Sequence, residues 1–225
     1  WGRGRVPAWS RVTSVGFRLR GTGELSVDDL ALLNADPARG ADPTPEDLET
    51  LAFKDLPGKP RRIQTDAYWL LTNAPALDLE KLSKHVGTVW SELRTDWVLS
   101  ANGARPAVLI IFAEEAQYRD FVVRFARQLN AVATPPTSDG YHMQGLALSF
   151  QKDEQRTLRS VFTHEFVHSV MSEQAGIDSS RGCWLQGGVA NRYQLKYHPQ
   201  ASLPGIIAEG LAKPTHRTAM SKLCD

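Results

Sequence analysis

Thr163-His164-Glu165-Phe166-Val167-His168 is the stretch on which the reading of this chain turns. It lies inside a run from Glu154 to Gln174 whose Leu158, Val161, Phe162, Phe166, Val167 and Val170 predict one long, largely buried helix. On a helix, residues i and i+4 stand about 40° apart around the axis, so His164 and His168 project from one face. Two neutral imidazoles so placed can close on a single Zn2+ at about 2.0–2.1 Å each. Glu165 flanks that face without being forced into the metal shell. There it can act as a general base, taking a proton from a zinc-bound water and passing it to a leaving amine. The competing reading is two core histidines bonded to backbone carbonyls, with Glu165 at a solvated edge.

Upstream of this helix, Leu146 to Gln151 alternates as a strand, with Leu146, Leu148 and Phe150 on one face. The segment Gly145 to Gln151 leads straight into the helix. It is expected either as the sheet edge that holds an extended substrate or as an ordinary core strand. Further back, Tyr68 to Thr72 and the apolar Val108 to Phe112 read as strands. Asp78 caps a helix carrying Leu79, Leu82, Val86, Val89, Trp90, Leu93 and Trp97. Glu114 to Leu129 is a second amphipathic helix. Thr134 to Gly140 is a Pro/Gly loop. The fold class expected is α+β: a small mixed sheet with an active-site helix.

The remainder is organised differently. Residues 1–35 read as a β-hairpin segment turning at Gly21-Thr22-Gly23, weakly like the end of a truncated carbohydrate-binding β-sandwich. Residues 36–62 are punctuated by Pro and Gly and read as linker. The working domain is then 63–225. With 26 Lys+Arg against 25 Asp+Glu, the charge balance argues against a dedicated nucleic-acid binder. No apolar run approaches the roughly 20 residues a membrane span requires. Two cysteines, Cys183 and Cys224, make no disulfide scaffold and leave the redox compartment open.

The histidine motif, followed by Cys183-Trp184-Leu185-Gln186-Gly187-Gly188-Val189-Ala190-Asn191-Arg192-Tyr193, resembles the peptidase MA-like family of bacterial zinc metallopeptidases of gluzincin type. The order of elements from residue 63 onward is similar as well. The resemblance implies a zincin-like fold, one Zn2+ held by His164 and His168, Glu165 as base, and a peptide or protein substrate. It also implies a cell-envelope or secreted setting, which nothing else in the sequence addresses. The family pattern Trp-Leu-x-Glu-Gly-x-Ala places its third zinc ligand where this chain has Gly187.

That departure matters, because a catalytic zinc needs three protein ligands and an open position. Gln186 is adjacent but turned about 100° away, and a neutral amide is a poor zinc ligand. Glu173 points about 140° from His168 on the same helix. Glu209, in Glu209-Gly210-Leu211-Ala212, is a further candidate ligand, and Asn191 would stand behind the ligands if its segment is helical. Tyr141, His142, Tyr193, Tyr197 and His198 are candidates for stabilising an oxyanion. Two functions remain in play: a zinc peptidase, or a catalytically degraded homologue kept as a binding or structural module.

Overall fold

The computed structural model describes residues 44–97, 99, 105–128, 134–153, 156–177 and 179–201, of which 179–184 as backbone only. The hairpin expected over 1–35, residues 36–43 of the linker, Glu209 and Cys224 lie outside the described residues.

The elements, in chain order, are α1 (Pro45–Phe53), β1 (Arg61–Gln64), β2 (Tyr68–Thr72), α2 (Leu79–Asp96), β3 (Ala107–Phe112), α3 (Glu115–Gln128), β4 (Gly140–Met143), β5 (Leu146–Phe150), α4 (Ser160–Glu173) and α5 (Ser179–Tyr197). The five strands form one mixed sheet in the order β1-β2-β3-β5-β4. β2, β3 and β5 run parallel, while β1 and β4 are antiparallel at the two edges. The fold is α+β.

Strand periodicity divides the core into two layers. Leu109, Ile111 and Ala147 point to one face and pack with Leu82, Val86 and Val89 of α2, Phe162, Phe166 and Val170 of α4, and Ala190 and Tyr193 of α5. Val108, Ile110, Phe112, Leu148 and Phe150 point to the other and pack with Leu48 and Phe53 of α1 and Tyr118 and Phe121 of α3. β3 is apolar throughout because both its faces are covered. Ser169 of α4 pins the motif helix to the sheet. It accepts from the Val108 amide at 2.9 Å and donates to the Gly145 carbonyl at 2.6 Å.

Three expectations change. The motif helix begins at Ser160 rather than near Glu154. The stretch read as linker contains α1: Thr44 and Asp47 form a capping box and Pro45 occupies the first turn. Proline there starts a helix, because its missing N–H would have had no partner in any case. The Thr134–Gly140 loop runs into an unforeseen strand, β4, joined to β5 through Gln144 (φ 53°) and Gly145 (φ 81°). Positive φ at both positions matches the two-residue hairpin turn whose twist fits a sheet. β5 is therefore an interior strand, and the edge next to the motif helix is β4.

Candidate metal centre

α4 carries the site because its sequence satisfies two neighbours at once. Phe162, Phe166, Val167 and Val170 face the core, which leaves His164 and His168 half-buried on the flank covered by α5. Their rings meet edge to face with centroids 4.9 Å apart, and their Nε2 atoms are 3.2 Å apart. Two Zn–N bonds of about 2.05 Å at a tetrahedral angle require an N···N separation of about 3.3 Å. The pair already has the bite of a tetrahedral ion.

The opposite nitrogens are committed. His168 Nδ1 donates to Gln186 Oε1 at 3.2 Å, and His164 Nδ1 donates to Gln194 Oε1 at 2.9 Å. The Gln186 carboxamide is fully buried, and its Nε2 donates to the Ile177 carbonyl, so its oxygen has to face the histidine. Each ring thereby carries its proton on Nδ1 and turns a bare Nε2 toward its neighbour. Acceptors behind liganding histidines hold the ring and its tautomer in this way at metal sites generally.

Burial, with a smaller contribution from the neighbouring His168, lowers the His164 pKa to about 4, and burial lowers His168 as well. Both rings are neutral at pH 7, the protonation state a metal requires. Glu165 is 7% exposed and packs under β4. A Cβ on Gly140 would lie 2.5 Å from Glu165 Cγ and 2.7 Å from its Oε1, so only glycine admits the carboxyl there. Burial alone pushes that carboxyl up to about 8. A base with a pKa near the working pH is well matched to proton transfer.

On β4, Gly140 pairs with Ser149 and His142 with Ala147, so both share the sheet face that α4 covers. The His142 ring stacks on His168, with centroids 5.6 Å apart and planes 19° apart. Tyr141 points to the opposite face and is exposed.

The remaining sequence candidates fall elsewhere. Gly187 lies on α5, and a Cβ built on it would meet nothing within 4 Å. Asn191 is on α5 but bonds neither histidine among the described residues. Glu173 packs against Gly145, at the far end of α4 from His164. Gln186, dismissed as a ligand from sequence, instead positions His168, and Gln194 was not foreseen at all. Tyr193 donates to Asp96 Oδ2 at 2.7 Å and belongs to the packing of α5 on α2. His198 joins a second cluster: the Thr163 hydroxyl bridges its Nε2, at 3.0 Å, and His85 Nε2, at 2.7 Å. The His85 ring also meets Tyr197 edge-on at 5.2 Å.

The residues present fit half of a zinc shell. His164 and His168 have the spacing, tautomer and charge state of ligands, but among the described residues no third His, Cys, Asp or Glu joins them in a metal-holding group. No helix among the described residues is long and apolar enough to cross a membrane. Comparison with family models, with curated proteins and with solved structures found no match for this chain.

Proposed function

We propose that the α+β unit built from α1 to α5 is a zincin-like domain that hydrolyses peptide bonds with the aid of zinc, in the manner of the gluzincin and peptidase MA-like resemblance in the sequence. One observation carries this reading: two bare Nε2 atoms 3.2 Å apart, each held by a carboxamide oxygen on the far side of its ring. Zinc bound there supplies Lewis acidity toward a carbonyl and toward water.

The chain's own groups do the rest. Glu165 follows the first histidine and is buried in a recess under Gly140, and this reading assigns it as the general base. β4 is the edge strand on this side of the sheet among the described residues, a position from which a strand can pair with an extended peptide. A peptide so paired runs alongside Gly140 and His142, the two β4 residues next to Glu165 and His168.

A second reading, a degraded homologue acting as a binding or structural module, is favoured by Gly187, which offers no donor. The test is hydrolysis of a quenched peptide library by zinc-loaded protein, with Glu165→Gln as control. A peptidase loses turnover in Glu165→Gln while its zinc affinity stays within a few-fold. No turnover in the parent protein, with histidine-dependent zinc binding intact, selects the module.

A further inference from the structure

Arg159 stands at the N-cap of the motif helix, and it is the wrong residue for the helix's own needs. That position favours Ser, Thr, Asp or Asn, whose oxygens bond the free amides, and a cation there meets the positive end of the helix dipole. Arg159 makes no side-chain cap. Its guanidinium is engaged elsewhere. Nη1 donates to the carbonyl of Phe150, the last residue of β5, at 2.5 Å, and Nη2 donates to Asp139 Oδ2 at 2.5 Å. The side chain is only 12% exposed and lies over the rings of Phe150 and Phe162, 5.1 and 5.7 Å from their centroids.

Asp139 immediately precedes Gly140, the first residue of β4. Three further bonds hold the same short loop. The Ser149 hydroxyl donates to the Asp139 carbonyl at 2.7 Å, the Ser138 hydroxyl to the Gly140 carbonyl at 2.5 Å, and the Tyr118 hydroxyl to the Ser138 carbonyl at 3.2 Å. Lys152 also reaches Asp139, at 3.4 Å, from an exposed position. Of these groups, Arg159 is the one joined to α4. The clearance it spans is tight: a Cβ on Gly140 would lie 2.5 Å from both Val161 Cγ2 and Glu165 Cγ, on the helix that Arg159 begins. The loop's height over α4 therefore counts in tenths of an ångström.

Resting on the reading of Glu165 as base and of β4 as the strand that a peptide pairs with, we propose that Arg159 is a positioning residue. Through Asp139 it holds the start of β4 at a fixed height over Glu165, so that a paired peptide and the base keep one registration. With the tie cut, the loop lifts, the recess admits water, and the peptide meets Glu165 at no fixed distance.

The experiment compares the full-length chain with Arg159→Gln, Arg159→Lys, Asp139→Asn and Val89→Ala, the last a cavity in α2 that lowers stability without touching the loop. The first readout uses metal-free protein: carbodiimide coupling of glycine amide to Glu165, followed by mass spectrometry. Local opening of the loop should make coupling roughly tenfold faster in Arg159→Gln and Asp139→Asn. Arg159→Lys keeps the cation but only one of the two bonds, and should recover part of the difference. Val89→Ala should couple at the parent rate. The second readout is peptide hydrolysis by the zinc-loaded proteins. Misplacement of the base should lower kcat by about 10–100-fold in Arg159→Gln while KM stays within a few-fold, because β4 still pairs with the peptide.

Coupling at the parent rate in both Arg159→Gln and Asp139→Asn overturns the proposal. So does equal acceleration in Val89→Ala, which would make Arg159 a contributor to stability alone. Faster coupling with kcat unchanged also overturns it, since the tie would then hold the loop without serving the reaction. A parent chain that hydrolyses no peptide defeats the peptidase reading itself, and the coupling rates then still decide whether Arg159 closes the recess over Glu165.

Discussion

Two histidine pairs adjoin consecutive residues of α4 and are wired in opposite senses. His85 and His198 both aim Nε2 at the Thr163 hydroxyl, which can donate to one ring and accept from the other. That cluster is satisfied by protons alone and ties α2 and the end of α5 to the motif helix. His164 and His168 spend their Nδ1 protons on glutamine oxygens and aim two lone pairs at each other. Two lone pairs face to face repel unless a cation or a proton lies between them. The difference is not residue type, burial or distance. It is which ring nitrogen the neighbouring element has engaged.

The largest effect expected from that contrast is in metal affinity. Apparent zinc binding energies of roughly 10–16 kcal/mol over four ligands correspond to about 3 kcal/mol per ligand. His164→Ala should therefore weaken Zn2+ binding by more than about 100-fold, measured by competition with a chelating dye. His85→Ala should leave it within a few-fold. Equal losses in the two variants would mean that the clusters are not distinct in kind.

Next in size is the wiring itself. Gln194→Ala removes the acceptor behind His164 and should cost about 10–100-fold in zinc affinity, as loss of such an acceptor commonly does. Gln194→Glu keeps an oxygen at that place and should retain the affinity. A purely structural role for Gln194 would lower thermal stability in both variants without separating their affinities.

How much of this was legible follows from the range of each signal. The i, i+4 histidines, the neighbouring glutamate and the apolar positions of α4 are local, and helical geometry converts them directly into a shared face. The strands β2, β3 and β5 were legible for a similar reason: β2 and β3 carry the apolar run of a strand covered on both sides, and β5 the alternation of Leu146, Leu148 and Phe150. β4 was not, because Gly140-Tyr141-His142-Met143 has no apolar alternation; its glycine is there for Glu165 and its histidine for His168. The turn that defines it uses Gln144 where Asn or Asp would have signalled a hairpin. α1 was hidden by its own first-turn proline, read as punctuation. Gln186 and Gln194 were illegible as positioning residues, since their partners lie 18 and 30 positions away in sequence and only the packing of α5 on α4 joins them.

The smallest effect is a slope, and it belongs to the closed cluster. Burial first, and then the positive charge that His198 can carry, lower the His85 pKa from 6.5 to about 4. The unfolded chain takes up its proton near pH 6.5 and the folded chain near 4, so between those values unfolding binds a proton. Stability contributed by His85 is therefore complete above about pH 6.5 and is lost as the pH falls toward 4. The full shift would correspond to roughly 3 kcal/mol, but the ring is partly solvated, and about 1 kcal/mol is the size expected after screening. His85→Gln can still bond Thr163 but has no proton to gain. Denaturant melts of the metal-free protein at pH 7 and pH 4.5 should show the parent losing about 1 kcal/mol more than this variant. His198, itself lowered by burial, contributes to the slope of both proteins, so the difference reports His85 together with its coupling to His198. Parallel curves would mean that His85 takes a proton in the folded state as readily as in the unfolded one. The Thr163 bridge would then be open to charge, and the contrast between the two clusters would narrow to geometry alone.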